Sequence, residues 1–167
     1  LPDEIYNLSG ISSVGLSFKE PKETFESITI SNLNLLEAIR KSKLNIKLYN
    51  ACSSECFGEM KKKGANEETA FYPLSPYSMA KASTFWQGCV YRKSYNMFIC
   101  SGILFNHESP LRPKEFVTRK IISTALLIAK GESNELRLGD LSVKRDWGWA
   151  PEYVMPMWLM LQKRQAS

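Results

Sequence analysis

The sequence predicts an α/β domain, a parallel sheet flanked by helices. Three observations carry this: short apolar runs at intervals, longer segments with helical spacing between them, and small polar residues after each run. Glu4–Leu8 reads as the first strand. Residues 22–41 read as a helix, because Phe25, Ile28, Leu35, Leu36 and Ile39 recur at helical intervals. Ile46–Ala51 is the second strand, and a polar loop through Ala65-Asn66-Glu67 follows it. Ser75-Pro76 opens the next helix, with serine a favoured cap and proline suited to the first helical position; this helix should reach Tyr95. Phe98–Leu104 is the third strand. A helix over 116–129 closes at Gly131, Leu136–Leu138 reads as a short fourth strand, and Glu152–Gln162 is helix-like.

At 167 residues the chain suits one domain with a real core, and its 44% hydrophobic and 23% charged composition places it among ordinary globular proteins. No apolar run would span a bilayer, and Leu1-Pro2-Asp3-Glu4 carries no basic leader, so the expectation is a cytoplasmic protein without a membrane partner. The net charge of +5 is spread along the chain. Its densest run, Lys61-Lys62-Lys63, is followed by Glu67 and Glu68, which reads as a solvated loop and not a nucleic-acid surface. The four cysteines (52, 56, 89 and 100) form no Cys-x-x-Cys pair, and with one histidine no metal site is expected; Cys52 and Cys56 read as buried, reduced core thiols.

In open parallel sheets ligands bind beyond the carboxyl ends of the strands. That directs attention to Ser9–Ser13, Ser53–Glu55 and Asn106–Arg112. Tyr77 and Lys81 are four apart and share a helix face. An ammonium beside a phenol favours the phenolate, so Tyr77 should have a lowered pKa and serve as a general base. Alone, the pair better suits a solvated helix face. Ser53 and Glu55, after a strand, could bond and deprotonate a substrate; alone, they equally suit a polar turn.

Together the Ser53-Ser54-Glu55 segment, Phe71-Tyr72-Pro73, Ser75-Pro76-Tyr77 and Lys81 resemble the extended short-chain dehydrogenase/reductases that act on nucleotide sugars. Gly102–Pro110, Phe116–Ile121 and Arg145–Gly148 narrow the resemblance to the GDP-mannose 4,6-dehydratases, over about residues 2–162. The resemblance implies a Rossmann-like fold, an NADP cofactor, GDP-mannose as substrate and a homo-oligomer. It assigns Ser53, Glu55, Tyr77 and Lys81 to catalysis. Tyr77 would take the 4-hydroxyl proton as hydride leaves C4. Lys81 would hold the ribose, Ser53 would bond the 4-oxygen, and Glu55 would take the C5 proton and assist water loss before hydride returns at C6. It further places Leu8, Ser9, Ser12, His107 and Arg112 with Tyr77 and Lys81 at the cofactor, and Asn106, Val117, Lys120 and Arg145 at the substrate. On residue type alone, His107 would be a loop histidine bonded to backbone, Lys120 a helix-surface charge and Arg145 half of an ion pair.

The family's Gly-x-x-Gly-x-x-Gly turn, which brings backbone to a pyrophosphate, is absent from these residues. The resemblance therefore implies a truncated, partial NAD(P)-binding domain lacking its glycine-rich first βαβ half. The start of a substrate-binding part would cover about 106–167, and cofactor binding and turnover by these residues alone would be impaired. Ser9–Val14 stands where the family shows a pattern like Ala-Ala-Gln-Ser-His-Val; Cys52 and Cys56 stand for a serine and an aliphatic residue. Alternatives are another nucleotide-sugar dehydratase or epimerase, or a catalytically inactive interaction fragment.

Overall fold

Strand β2 (Lys47–Ser53) is buried along nearly its whole length, because it has a parallel neighbour on each side. Those neighbours are β1 (Glu4–Asn7) and β3 (Ile99–Leu104), and the sheet order is β1-β2-β3. The register pairs Asn7 with Asn50, Leu48 with Ile99 and Ser53 with Leu104, so the carboxyl ends of all three strands lie at one edge. The computed structural model describes residues 1–60 and 64–166. Two units are distinguished: Leu1–Leu104 with the segment from Pro156 onward, and Phe105–Met155. The Lys61-Lys62-Lys63 run, expected to be a solvated loop, lies outside the described residues.

The helix expected over 22–41 begins earlier and comes in pieces. Helix α1 (Val14–Lys19) starts at Ser13, whose hydroxyl accepts from the Leu16 amide at 3.2 Å. It stops at Glu20, which leaves helical geometry ahead of Pro21, since proline has no N–H to continue a preceding helix. Helix α2 (Pro21–Phe25) then runs into a π-helical segment, Glu26–Ile30, and helix α3 (Ser31–Ser42). The wider π turn buries the adjacent Ile28 and Thr29 together, a departure from 3.6-residue spacing that periodicity alone does not reveal. Helix α3 packs Leu36 and Ile39 against Ile46, Leu48 and Ile99. Fully burying side chains such as Leu36, Leu48 and Ile99 contributes about 1.5–3 kcal/mol each.

Helix α4 (Pro76–Tyr95) is capped reciprocally: the Ser75 hydroxyl accepts from the Ser78 amide at 3.0 Å, and the Ser78 hydroxyl accepts from the Ser75 amide at 2.9 Å. Side chains tie it to β2. Lys81 Nζ donates to the Ala51 carbonyl (3.0 Å), Asn50 Nδ2 to the Thr84 carbonyl (3.3 Å), and the Cys52 thiol lies 3.6 Å from the Lys81 carbonyl. A ladder of carboxamides extends this link to β1. Asn7 Nδ2 donates to Asn32 and Asn50, Asn32 Nδ2 donates to Gln87 Oε1 at 2.7 Å, and Gln87 Nε2 donates to the Thr29 carbonyl.

In the second unit, β4 (Asn106–Glu108) and β5 (Trp147–Trp149) pair in parallel, His107 opposite Gly148. Helix α5 (Val117–Ala129) ends as expected near Gly131, whose positive φ lets the Glu132 amide reach the Leu127 carbonyl. The strand expected over Leu136–Leu138 does not form. Those residues have no hydrogen-bonding neighbour strand, and the two-stranded pairing is made by Trp147–Trp149 instead. Helix α6 (Ala150–Leu161) begins in this unit; its end belongs to the first, where Met157 and Leu161 are buried and Lys47 Nζ donates to the Leu161 carbonyl at 2.6 Å. Among the described residues, no helix is long and apolar enough to cross a membrane.

Gly102 on β3 has no room for a side chain. A Cβ there would lie 2.6 and 2.8 Å from ring carbons of Tyr49 and closer still to its hydroxyl, and Tyr49 is fully buried. Gly102→Ala is therefore expected to destabilise the fold by about 1–3 kcal/mol, read as a lower urea midpoint; an unchanged midpoint would contradict this packing.

Candidate active site

Ser53 is the last residue of β2, and the chain turns there into the 3-10 segment Ser54–Phe57. Its hydroxyl makes the turn by accepting from the Glu55 amide at 3.2 Å. Gly58 closes the turn with φ of +67°, and a Cβ there would run into the Tyr72 carbonyl oxygen, so only glycine fits. The turn thus holds Ser53 buried and Glu55 partly exposed, just past the strand end.

Tyr77 and Lys81 face this turn from the first two turns of α4, and both are more than nine-tenths buried. The Ser53 hydroxyl is within hydrogen-bonding reach of the Tyr77 phenol, and the Glu55 carboxylate is near enough for its charge to act on that phenol. The structure therefore brings Ser53, Glu55 and Tyr77 to one place, with Lys81 one helical turn on.

The electrostatics differ from the expectation that Lys81 lowers the Tyr77 pKa. Burial dominates and pushes the phenol above its ordinary value; the Ser53 hydroxyl partly offsets this, while the nearby thiols and Glu55 add to it. Lys81 does not act as the phenol's counter-charge, because its ammonium is turned to the Ala51 carbonyl. Burial also holds Lys81 below the usual lysine range. Sequence spacing places the two residues on one face but says nothing of where the ammonium points.

Leu8, Ser9 and Ser12 sit in the exposed stretch after β1. The Asn7 carboxamide orders its start, accepting from the Ser9 hydroxyl at 2.6 Å and amide at 3.3 Å. In the second unit, His107 Nδ1 lies 2.9 Å from the Phe105 carbonyl oxygen, and its ring lies 5.2 Å from that of Tyr153. It is therefore backbone-bonded, as residue type alone suggests. Arg112 stacks on Phe116 with its guanidinium 3.5 Å from the ring centroid. Its Nε, buried 3.4 Å from Glu108 Oε2, makes an ion pair too poorly aligned for a hydrogen bond. Asn106 lies in β4, Val117 and Lys120 in the first turn of α5, and Arg145 just before β5. Among the described residues there is no cluster of histidine, cysteine, aspartate or glutamate that could hold a metal. Asn32 and Gln87 carry no sequence signal; nothing in their spacing marks them, and only the fold joins them to Asn7.

The family model for GDP-mannose 4,6 dehydratase matches residues 1–167. The chain belongs to the GDP-mannose 4,6-dehydratase family. It is 45% identical to a GDP-mannose 4,6 dehydratase of Drosophila melanogaster over 99% of this chain and 42% of the relative. It is 46% identical to one from Vibrio cholerae over 98% of this chain and 45% of the relative. The chain thus spans less than half the length of these curated relatives. Among solved structures it is similar to RMD from Pseudomonas aeruginosa complexed with NADPH, with a TM-score of 0.92 and 22% identity, covering 99% of this chain and 58% of that one. That likeness establishes a Rossmann-like α/β fold.

Burial of Lys81 leaves a pH signature. Its folded-state pKa is lowered, so as pH rises from that value towards the ordinary lysine value the folded chain sheds the proton while the unfolded chain keeps it, and stability rises. Lys81→Met removes this rise and also the bond to the Ala51 carbonyl. Thermal melts between pH 7 and 10 test it: the parent should gain on Lys81→Met as pH rises, and a constant difference between the two would contradict it.

Proposed function

We propose that these residues carry the catalytic centre of a GDP-mannose 4,6-dehydratase, which converts GDP-mannose to GDP-4-dehydro-6-deoxy-mannose. The observation that carries this reading is the convergence of Ser53, Glu55 and Tyr77 on one strand end, in a chain of this family. The relatives so named are more than twice as long, so the proposal concerns the activity of a protein containing these residues.

NADP is the cofactor we assign. The donor set at Lys81 fits its nicotinamide ribose: the ammonium has three N–H donors, one is directed at Ala51, and the others can serve ribose hydroxyls. When bound, NADP supplies the hydride acceptor and, once reduced, the donor. The resemblance to the family assigns Leu8, Ser9, Ser12, His107 and Arg112 to the same cofactor. The glycine turn for a pyrophosphate is not among these residues.

Tyr77 as phenolate takes the proton of the sugar 4-hydroxyl, and Ser53 hydrogen-bonds that oxygen as it becomes a ketone. The ketone acidifies C5. Glu55 takes the C5 proton and returns one to the departing 6-hydroxyl, which leaves as water. Lys120 and Arg145 are cations suited to a diphosphate, and the resemblance to the family assigns them, with Asn106 and Val117, to the substrate.

We also read the protein as a homo-oligomer. Helix α5 is strongly apolar yet has no buried residue, and Trp86 and Val90 are exposed four apart on α4.

Tyr77→Phe and Glu55→Gln are each expected to lower kcat/KM for GDP-mannose by about 10²–10⁴-fold in the full native chain, with melting temperature retained. Chromatography of the sugar nucleotide measures this. A raised phenol pKa leaves little phenolate at neutral pH, so turnover should climb as pH rises above 7; a flat profile would argue against Tyr77 as the base. Light scattering should give a mass above the monomer, and a monomer would overturn the assembly reading.

A further inference from the structure

Cys52 and Cys56 bracket Ser53 and Glu55, and their sulfurs lie 3.5 Å apart. Both are free thiols and fully buried, in a cluster with Ala82 against Phe71, Phe85 and Ile103. Cys52 is on β2 and Cys56 on the 3-10 turn, so a bond between them would join the two elements that place Ser53 and Glu55. Each sulfur also touches helix α4: Cys52 lies 3.6 Å from the Lys81 carbonyl oxygen, and Cys56 lies 3.5 Å from that of Ser78.

We propose that Cys52 and Cys56 are a reversible disulfide site, closed by a water-sized hydroperoxide, and that closing it displaces the Ser53–Glu55 turn from helix α4. A disulfide needs the sulfurs at ~2.05 Å, so the pair must draw together by roughly 1.5 Å from its present spacing. Cys52 is anchored in a paired strand, with Ser53 opposite Leu104. The short turn therefore moves, carrying Glu55 with it. Both thiols lose their hydrogens on bonding and no longer donate to the Lys81 and Ser78 carbonyls, which loosens the turn from the helix that bears Tyr77 and Lys81.

The chemistry balances. The Cys52 thiolate attacks one peroxide oxygen, forming a sulfenic acid and releasing hydroxide. The Cys56 sulfur then attacks the Cys52 sulfur and expels hydroxide. The two thiol protons leave with the two hydroxides as water, so two thiols are oxidised to one disulfide and hydrogen peroxide is reduced to two waters. When Cys52 is a thiolate the Cys56 S–H can turn to it from the Ser78 carbonyl across the 3.5 Å contact, which favours thiolate at Cys52 and disfavours it at Cys56; this supports Cys52 as the attacking sulfur. Burial restricts the site to small oxidants, which reach it as the turn opens, and excludes a bulky disulfide such as oxidised glutathione. The half-buried Cys89 is the internal control.

Formation of the bond stands apart from the dehydratase reading; only its effect on turnover rests on it. The test treats the full native chain with hydrogen peroxide, blocks remaining thiols with N-ethylmaleimide and digests with trypsin. Both cysteines fall in the peptide 48–61. The expected result is that peptide unalkylated and two hydrogens lighter, restored to two alkylated thiols by dithiothreitol, with no change under oxidised glutathione. Turnover should fall in step with the disulfide fraction and return on reduction, while Cys56→Ala keeps basal turnover and loses this reversible response. The peptide with both cysteines alkylated after peroxide, or with extra oxygen on a cysteine sulfur and no disulfide, overturns the site; oxygen on the exposed Met60 is scored separately. A fully formed disulfide with unchanged turnover overturns the displacement. The mass measurement on the parent chain decides the bond whether or not the variant folds, and whether or not GDP-mannose is turned over.

Discussion

Helix α4 is held on strand β2 by side chains that bond to backbone across the packing face. Lys81 reaches the Ala51 carbonyl and Asn50 reaches the Thr84 carbonyl, while Cys52 lies against Lys81. Apolar packing between a helix and a sheet tolerates sliding; directional bonds to carbonyls do not, because each has one satisfactory position and a buried group left unpaired is costly. This clamp sets where Tyr77 stands relative to the end of β2. The 3-10 turn after Ser53 then needs only a short reach to bring Glu55 alongside. The separation between strand and helix is thus governed by contacts that also belong to the site, so the site and the fold share their polar interior.

That sharing explains the ionisation of the two buried groups. Tyr77 and Lys81 are placed by burial before charge, and burial disfavours the charged form of each: the phenol is pushed up and the ammonium down. Each group resists the form its proposed role uses, which is the condition under which a ligand that supplies hydrogen bonds or charge has the largest leverage on them.

Much of the fold was legible because its signals are local. The Ser75-Pro76 cap, the apolar runs that form β2 and β3, and Gly131 after α5 announce themselves within a few residues. The π segment was not, because its extra residue per turn is invisible to a search at helical spacing. The strand expected over Leu136–Leu138 rests on a local pattern, whereas a strand needs a partner, and the partner of β4 is Trp147–Trp149. At the site, the spacing of Tyr77 and Lys81 and the position of Ser53 and Glu55 after a strand were visible. The direction of the Lys81 ammonium was not, because the Ala51 carbonyl that takes it is thirty residues away. Asn32 and Gln87 carry no motif, and their role exists only through contacts across the fold.

The carboxamide ladder from Asn7 through Asn32 to Gln87 has a bearing on how this chain can change over generations. Asn32 uses its oxygen for Asn7 and its nitrogen for Gln87, so an aspartate there would set oxygen against oxygen, and a leucine would leave Gln87 Oε1 without its donor and Asn7 with Asn50 as its remaining acceptor in the ladder. Drift at one rung is thereby punished unless the adjoining rung shifts too. These positions should travel through descent as a linked set, substituting together or hardly at all, although none of them would be picked out for its chemistry.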